Sequence, residues 1–148
     1  MRIVIGSDHA GFHLKATIID HVTSLGHEVY DAGSYDANPV DFPDIAKTVT
    51  SSIIEGKADR GLMVCGTGVG ASIAANKVKG IRAAVCHDVH SAHQSVEHDD
   101  VNVMCIGAQI VGAWLARDLV AAYLAAEFST DEDFRRRVRK LAEMDEQR

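Results

Sequence analysis

The chain has 148 residues, which suits one domain over residues 1–148 with a hydrophobic core of its own. Apolar residues make up 47% and charged residues 24%, so the composition is that of a globular protein and excludes a disordered one. The net charge is −6, which argues against a nucleic-acid-binding function. No apolar run approaches the roughly 18 residues that a membrane span needs.

Three cysteines indicate the compartment. Cys65, Cys86 and Cys105 are an odd number without close spacing, which argues against a disulfide framework and against a zinc site. The N-terminus reads as a strand rather than a signal peptide. We therefore expect a protein of the reducing cytoplasm.

Short apolar runs alternate with longer stretches of helical period. The spacing predicts strands at Ile3–Ile5, His27–Asp31, Gly61–Cys65, Arg82–Cys86 and Asn102–Ile106. It predicts helices at Phe12–Leu25, Ile45–Ile54, Ala71–Val78, Val89–Glu97, Gln109–Ala126 and Asp131–Glu146. Strands that alternate with helices predict an α/β fold whose parallel sheet is covered on both faces.

The last helix is very polar, and Thr130 is the candidate cap that precedes it. Its few apolar positions would hold it only weakly to its own core. We expect it to dock on a second subunit.

Ligands of such sheets bind beyond the carboxyl ends of the strands. We place three polar groups there: Ser7–His9, Cys65–Gly70 and His98–Asp100. Gly66, Gly68 and Gly70 let backbone N–H groups converge where a helix begins, which is typical of an anion or oxyanion site. A tight strand-to-helix connection explains the same glycines equally well, and the spacing does not match a dinucleotide fingerprint.

Cys65 directly precedes this turn, where a thiol with a lowered pKa can act as base or nucleophile. The alternative is a small buried hydrophobic residue, and for Cys86 and Cys105 that interpretation is favoured. Asp8 and His9 form either a general acid/base pair or a helix cap beside a solvent-facing histidine.

Two further patterns each have a structural and a functional interpretation. The run Arg135–Arg137 is by default a solvated helix face, and otherwise a phosphate clamp. His87, His90 and His93 indicate a solvated helix face before they indicate a metal site, and we predict no metal.

The chain resembles the type B ribose-5-phosphate isomerases and the related galactose-6-phosphate isomerase subunits. The resemblance covers nearly the whole chain in order. The matching segments are Gly6–Gly11, Asp41–Asp44, Cys65–Gly70, Ser72–Lys77, Gly80–Ala84, and His98 with Asn102–Val103.

The resemblance implies a Rossmann-like three-layer α/β/α fold with a five-stranded parallel sheet. It implies a homodimer or tetramer with shared active sites, and aldose–ketose interconversion of a sugar phosphate through a cis-enediolate without metal or cofactor. It implies that Cys65 is the base and that Thr67, with Asp8, transfers the hydroxyl protons of the substrate. It implies that His98 of the other subunit opens the sugar ring. The substrate-binding set that it implies is His9, Gly66, Gly68, Val69, Gly70, Asp99 and Arg137.

The chain departs from the family pattern where ribose phosphate members carry basic or neutral residues. It has Gln109 for an arginine, Asp99 for an asparagine, and Asp131–Phe134 for a stretch that contains Gly-Arg-His, with Arg135 and Arg136 as substitutes. Ribose 5-phosphate is the default substrate. The alternatives are a tetrose phosphate such as erythrulose 4-phosphate, an unphosphorylated sugar, or a non-catalytic sugar-phosphate-binding subunit.

Overall fold

A computed structural model describes all 148 residues. The strands are β1 (Arg2–Ser7), β2 (Glu28–Asp31), β3 (Arg60–Cys65), β4 (Ala83–Val85) and β5 (Val103–Gly107). The helices are α1 (Phe12–Ser24), α2 (Phe42–Ile54), α3 (Val69–Ala75), α4 (Val89–Asp99), α5 (Ala113–Ala125) and α6 (Glu132–Glu146).

All strand pairs are parallel, in the order β2-β1-β3-β5-β4. The central strands are continuous apolar runs because helices cover both of their faces, whereas the edge strands β2 and β4 are shorter and partly exposed. The predicted α/β three-layer fold with a five-stranded parallel sheet is confirmed.

Alternation along the strands divides the core between the two faces of the sheet. On one face, Leu62 and Val64 of β3 pack in a cluster with residues of α1, α4 and α5. On the other face, Met63 and Cys65 pack in a cluster with residues of α2 and α3. Cys65 therefore points toward the face on which the helix after the glycine turn lies.

Four predicted helix starts are wrong. Helix α2 begins at Phe42 rather than at Ile45, and α3 begins at Val69 rather than at Ala71. Helix α5 begins at Ala113 rather than at Gln109, because the N–H groups of Ile110 and Val111 both donate to the carbonyl of Gly107 in a tight turn. Helix α6 is capped by Asp131 rather than by Thr130, since the Asp131 carboxylate accepts from the Asp133 N–H at 2.8 Å.

Helix α6 lies against α4 of its own chain and has no buried residue. Its C-terminal end is held by polar contacts: the Gly80 N–H donates to Asp145 at 2.9 Å, and Lys79 pairs with Glu146 at 2.7 Å. Contact of this helix with a second subunit stays a prediction. None of the helices combines the length and the apolar character that crossing a membrane requires.

Candidate active site at the carboxyl edge of the sheet

Three central strands bring their carboxyl ends together. Ser7 of β1 lies opposite Val64 of β3, and Cys65 lies opposite Gly107 of β5. The Asp8 N–H continues the pairing by donating to the Val64 carbonyl at 3.2 Å. Asp8 and Cys65 therefore end neighbouring strands, as predicted for this edge of the sheet.

The glycine turn wraps around the Cys65 sulfur. Gly68 has φ = +82°, a conformation open to glycine, and its N–H donates to Cys65 Sγ at 3.1 Å. Thr67 is exposed, and its Oγ1 accepts from the Val69 N–H at 3.3 Å. Since α3 begins at Val69, the thiol faces backbone donors at the amino end of a helix.

Gly107 packs directly against the backbone of this turn. A methyl group added at Gly107 would lie 2.7 Å from the Thr67 Cα and carbonyl carbon, which is closer than real contacts. The Gly107 N–H donates to His87 Nε2 at 2.8 Å. The end of β5 therefore supports the turn from beneath, and it does so only because position 107 lacks a side chain.

Cys65 differs in its surroundings from the two other thiols. Cys86 and Cys105 are buried in the core, and burial raises the pKa of each. The structural interpretation of Cys86 and Cys105 therefore agrees with their positions, while Cys65 is the thiol that borders the glycine turn.

Asp8 and His9 do not pair with each other. The Asp8 carboxylate accepts from the Gly11 N–H at 3.0 Å and so closes the turn before α1. His9 is exposed, and its Nδ1 accepts from the Val40 N–H at 3.3 Å. Asp8 closes this turn but does not cap α1 as expected, because the N-cap residue is Gly11, without a side-chain bond. His9 is oriented by the loop that follows β2.

The placement of His98–Asp100 beyond the carboxyl ends of the strands is wrong. Helix α4 runs back across the sheet from the end of β4, so its last residues lie where β4 and β5 begin. Asp100 pairs with Arg82, the residue before β4, at 2.8 Å. His98 and Asp99 are therefore at the amino edge of the sheet, whereas Cys65 of the same chain is at the carboxyl edge.

His98 belongs to a stack that joins α4 to α6. Its ring lies parallel to the Phe134 ring with centroids 3.9 Å apart, and the Arg137 guanidinium lies 5.7 Å from the Phe134 centroid. Arg137 is exposed and makes no ion pair, whereas Arg136 pairs with Asp133 at 2.6 Å. Arg135 lies over the ring of Phe128 at 4.8 Å. Of the basic run, Arg137 is thus the guanidinium that borders the Phe134 ring on which His98 stacks.

Gln109 adjoins the site. Its N–H donates to the Gly66 carbonyl at 3.0 Å, and its side-chain amide lies 3.2–3.4 Å from the position that a Cβ on Gly66 would occupy. An uncharged amide therefore covers one side of the glycine turn.

Two of the three histidines His87, His90 and His93 have contacts within the chain, and His90 is exposed. His93 pairs with Glu97 at 2.9 Å, and His87 accepts from Gly107. No group of three or more His, Cys, Asp or Glu side chains is arranged to hold a metal ion.

Lys15 is a buried charged residue that the sequence motifs did not reveal. This lysine is 2% exposed, and its Nζ lies 2.6 Å from Asp31 Oδ1. A signal was present, because Lys15, Ile18 and Val22 share the helical spacing of the buried face of α1. A lysine in that stripe indicates a buried, paired ammonium.

The parallel sheet, with a thiol enclosed by a glycine turn at its carboxyl edge, defines an α/β enzyme built for chemistry on a small anionic substrate. The model of the Ribose/Galactose Isomerase family matches residues 3–141. The chain belongs to this family, and it is an aldose–ketose isomerase of the sugar phosphate class.

Named relatives agree with this assignment. The chain is 44% identical over 127 residues to ribose-5-phosphate isomerase B of Escherichia coli, covering 86% of this chain and 85% of the relative. It is 44% identical over 131 residues to D-erythrulose-4-phosphate isomerase of Pectobacterium atrosepticum, with the same coverage of 86% and 85%. The structure of ribose-5-phosphate isomerase B from Clostridium thermocellum superimposes with a TM-score of 0.96 at 45% identity, covering 99% of each chain.

Proposed function

We propose that residues 1–148 form one isomerase domain that interconverts ribose 5-phosphate and ribulose 5-phosphate by moving a proton between C1 and C2 through a cis-enediolate. The observation that carries this proposal is the Cys65 sulfur, which accepts the Gly68 N–H at 3.1 Å within the glycine turn. The Escherichia coli relative is named ribose-5-phosphate isomerase B, which supports the choice of substrate.

Cys65 is the base in this proposal. A thiolate beside an amide N–H and a helix amino end can take the proton from one carbon and return it to the next. The amides of Gly66, Gly68, Val69 and Gly70 then stabilise the enediolate oxygen, because N–H donors converge where negative charge develops. The Gly68 and Val69 N–H groups exchange their present partners, Cys65 Sγ and Thr67 Oγ1, for this oxygen. The reaction needs no cofactor, since the proton is the only group that moves between the carbons.

The remaining site residues handle the rest of the substrate. Thr67, together with Asp8, exchanges the hydroxyl protons as the enediolate forms and collapses. His98 acts as the acid that opens the furanose ring, with Asp99 beside it. His9 and Arg137 contact the phosphate, Arg137 with a guanidinium whose geometry matches phosphate oxygens.

We further propose that the active site is shared between two copies of the chain. Within one chain, His98 and Arg137 belong to the amino edge of the sheet and Cys65 to the carboxyl edge, so a second copy must supply them. The exposed, polar α6 supports an oligomer in which this helix faces the partner. A homodimer satisfies the requirement, and pairing of two dimers gives a tetramer.

Mixing two inactive variants tests the shared site. We expect Cys65→Ala and His98→Asn to be inactive alone, and the exchanged mixture to regain about a quarter of the wild-type activity, because random pairing gives half heterodimers with one intact site each. A mixture that stays inactive although native mass spectrometry shows exchange would place the site within one chain.

Cys65→Ala also separates catalysis from mere binding. We expect turnover to fall at least about a thousandfold while sugar phosphate binding persists. Cys86→Ala is the matched control, because it removes a buried thiol outside the site. Unchanged turnover in Cys65→Ala would exclude Cys65 from the reaction, and a wild-type chain that binds without turnover would be a non-catalytic subunit.

A tetrose phosphate is the second candidate substrate. Gln109 places a neutral amide beside Gly66, and Asp133 adds a carboxylate that pairs with Arg136. These residues leave fewer guanidiniums for a distant phosphate, and the Pectobacterium relative is named an erythrulose-4-phosphate isomerase.

A substrate panel distinguishes these candidates. It consists of ribose 5-phosphate, erythrulose 4-phosphate and unphosphorylated pentoses, assayed with the wild type and with Gln109→Arg. We expect Gln109→Arg to raise kcat/KM for ribose 5-phosphate roughly tenfold, since a charge-assisted contact contributes about 1.5–3 kcal/mol. Higher wild-type kcat/KM for erythrulose 4-phosphate would make the tetrose phosphate the substrate.

We assign the enzyme to the cytoplasm. All three cysteines are free thiols, which fits a reducing compartment.

A further inference from the structure

Lys15 places a buried positive charge between α1 and the loop that follows β2. The residue is 2% exposed, and its ammonium contacts Asp31 Oδ1 at 2.6 Å and also donates to the Ser34 carbonyl. The rings of Phe12 and Tyr35 lie 5.7 and 5.5 Å from the ammonium. A buried ammonium with two oxygen partners is held in one position, because moving away from either oxygen would leave a buried charge without that partner.

The partners of Lys15 stand where β2 passes into the loop: Asp31 is the last residue of β2, and Ser34 is the third residue of the loop. Asp31 Oδ1 also accepts the Gly33 N–H at 2.9 Å, and the Tyr35 hydroxyl donates to the Asp31 carbonyl at 3.0 Å. Ser7, two residues before His9, exchanges backbone hydrogen bonds of 2.7 Å with Gly33 and Ser34. Lys15 thus fixes the loop at the place where it passes the end of β1.

The far end of the same loop orients His9. The Val40 N–H donates to His9 Nδ1 at 3.3 Å, so a neutral imidazole carries its proton on Nε2. The exposed Nε2–H is then a donor for an anion. If the loop moved, the His9 ring would lose the Val40 N–H bond, and with it both its orientation and its preference for this tautomer.

We propose that Lys15 is a positioning residue of the active site: through Asp31 and Ser34 it fixes the loop whose Val40 N–H holds His9 as an Nε2–H donor toward the substrate phosphate. This inference rests on the proposed function, because the phosphate contact of His9 belongs to it. Lys15 itself does not touch the substrate.

The kinetic test uses Lys15→Met, which keeps an apolar stem and removes the ammonium. We expect KM for the sugar phosphate to rise about tenfold with a much smaller change in kcat, because the lost contact serves binding. Lys47→Met, at an exposed lysine of α2, is the matched control and keeps the wild-type KM.

A double-mutant cycle with His9→Ala separates positioning from a general loss of stability. If Lys15 acts through His9, Lys15→Met has almost no further effect on KM in the His9→Ala background. Equal effects of Lys15→Met in both backgrounds would overturn the inference.

A direct measurement of the His9 ring does not depend on turnover. In ¹⁵N NMR of the wild-type protein we expect the neutral His9 ring to show a protonated Nε2 and an acceptor Nδ1. In Lys15→Met we expect a mixture of tautomers. An unchanged His9 ring in folded Lys15→Met would overturn the inference, whereas a wild type without isomerase activity would overturn the proposed function alone.

Val40→Pro keeps the test decisive if Lys15→Met does not fold. It removes the N–H donor at a partly exposed loop position and leaves the Lys15 contacts in place. We expect the same shift of His9 tautomers and the same rise in KM. Wild-type behaviour of Val40→Pro would overturn the link between the loop and His9.

Discussion

A single methyl group at Gly107 should separate the stability of the fold from the geometry of the site. In Gly107→Ala the new Cβ would lie 2.7 Å from the Thr67 backbone, whereas ordinary contact begins at 3.4 Å. The Thr67 segment must therefore retreat by about 0.7 Å, the difference between these two distances. Because the obstacle is backbone, no side-chain rotation relieves it.

The expected costs follow from that displacement. Overpacking of this kind costs about 1–3 kcal/mol, which lowers Tm by roughly 3–10 °C in a chain of this length. A misplacement near 1 Å at a reacting centre costs about a hundredfold in rate. We therefore expect kcat to fall tenfold to a hundredfold while the protein stays folded at 25 °C.

The assay measures ketose formation and thermal unfolding on the same samples. Gly112→Ala is the matched control, since a Cβ there meets nothing within 4 Å. Wild-type kcat in Gly107→Ala, together with an unchanged Tm, would refute the reasoning that the end of β5 supports the turn.

Iodoacetamide should modify Cys65 first, because this thiol borders the turn with the exposed Thr67, whereas burial raises the pKa of Cys86 and Cys105. Peptide mass spectrometry checks the order, and equal rates without denaturant would contradict it. The Gly80 N–H lowers the pKa of Asp145 below its ordinary value of 3.8. Since the folded value is the lower one, this contact stabilises the fold fully above the unfolded pKa and is lost as pH falls through the folded pKa. The Gly80 amide shift in NMR should therefore titrate with a midpoint below 3.8 in the wild type and not with Asp145→Asn, and a midpoint at or above 3.8 would contradict the assignment.

Much of the fold follows from hydrophobic spacing. The apolar run Gly61–Cys65 had to be a buried strand, because helices cover both faces of a parallel sheet. The glycine turn and Cys65 were also identifiable, since glycines between a strand and a helix leave few other local structures.

Other features depend on contacts that spacing does not encode. Ile110 and Val111 continue a helical period, but their N–H groups bond to Gly107, so the helix starts later. The prediction for His98 is wrong because it groups a residue that precedes a strand with residues that follow strands. A residue that precedes a parallel strand lies at the amino edge, and this rule of topology would have placed it correctly.

The lack of any buried residue in α6 makes this helix a cooperative unit of its own. With few apolar contacts to its chain, it should open with a free energy far below that of global unfolding. Its amide hydrogens would then exchange rapidly in an isolated chain, while those of the buried strand β5 stay protected. Protection of α6 that grows with protein concentration would therefore report assembly without any activity measurement.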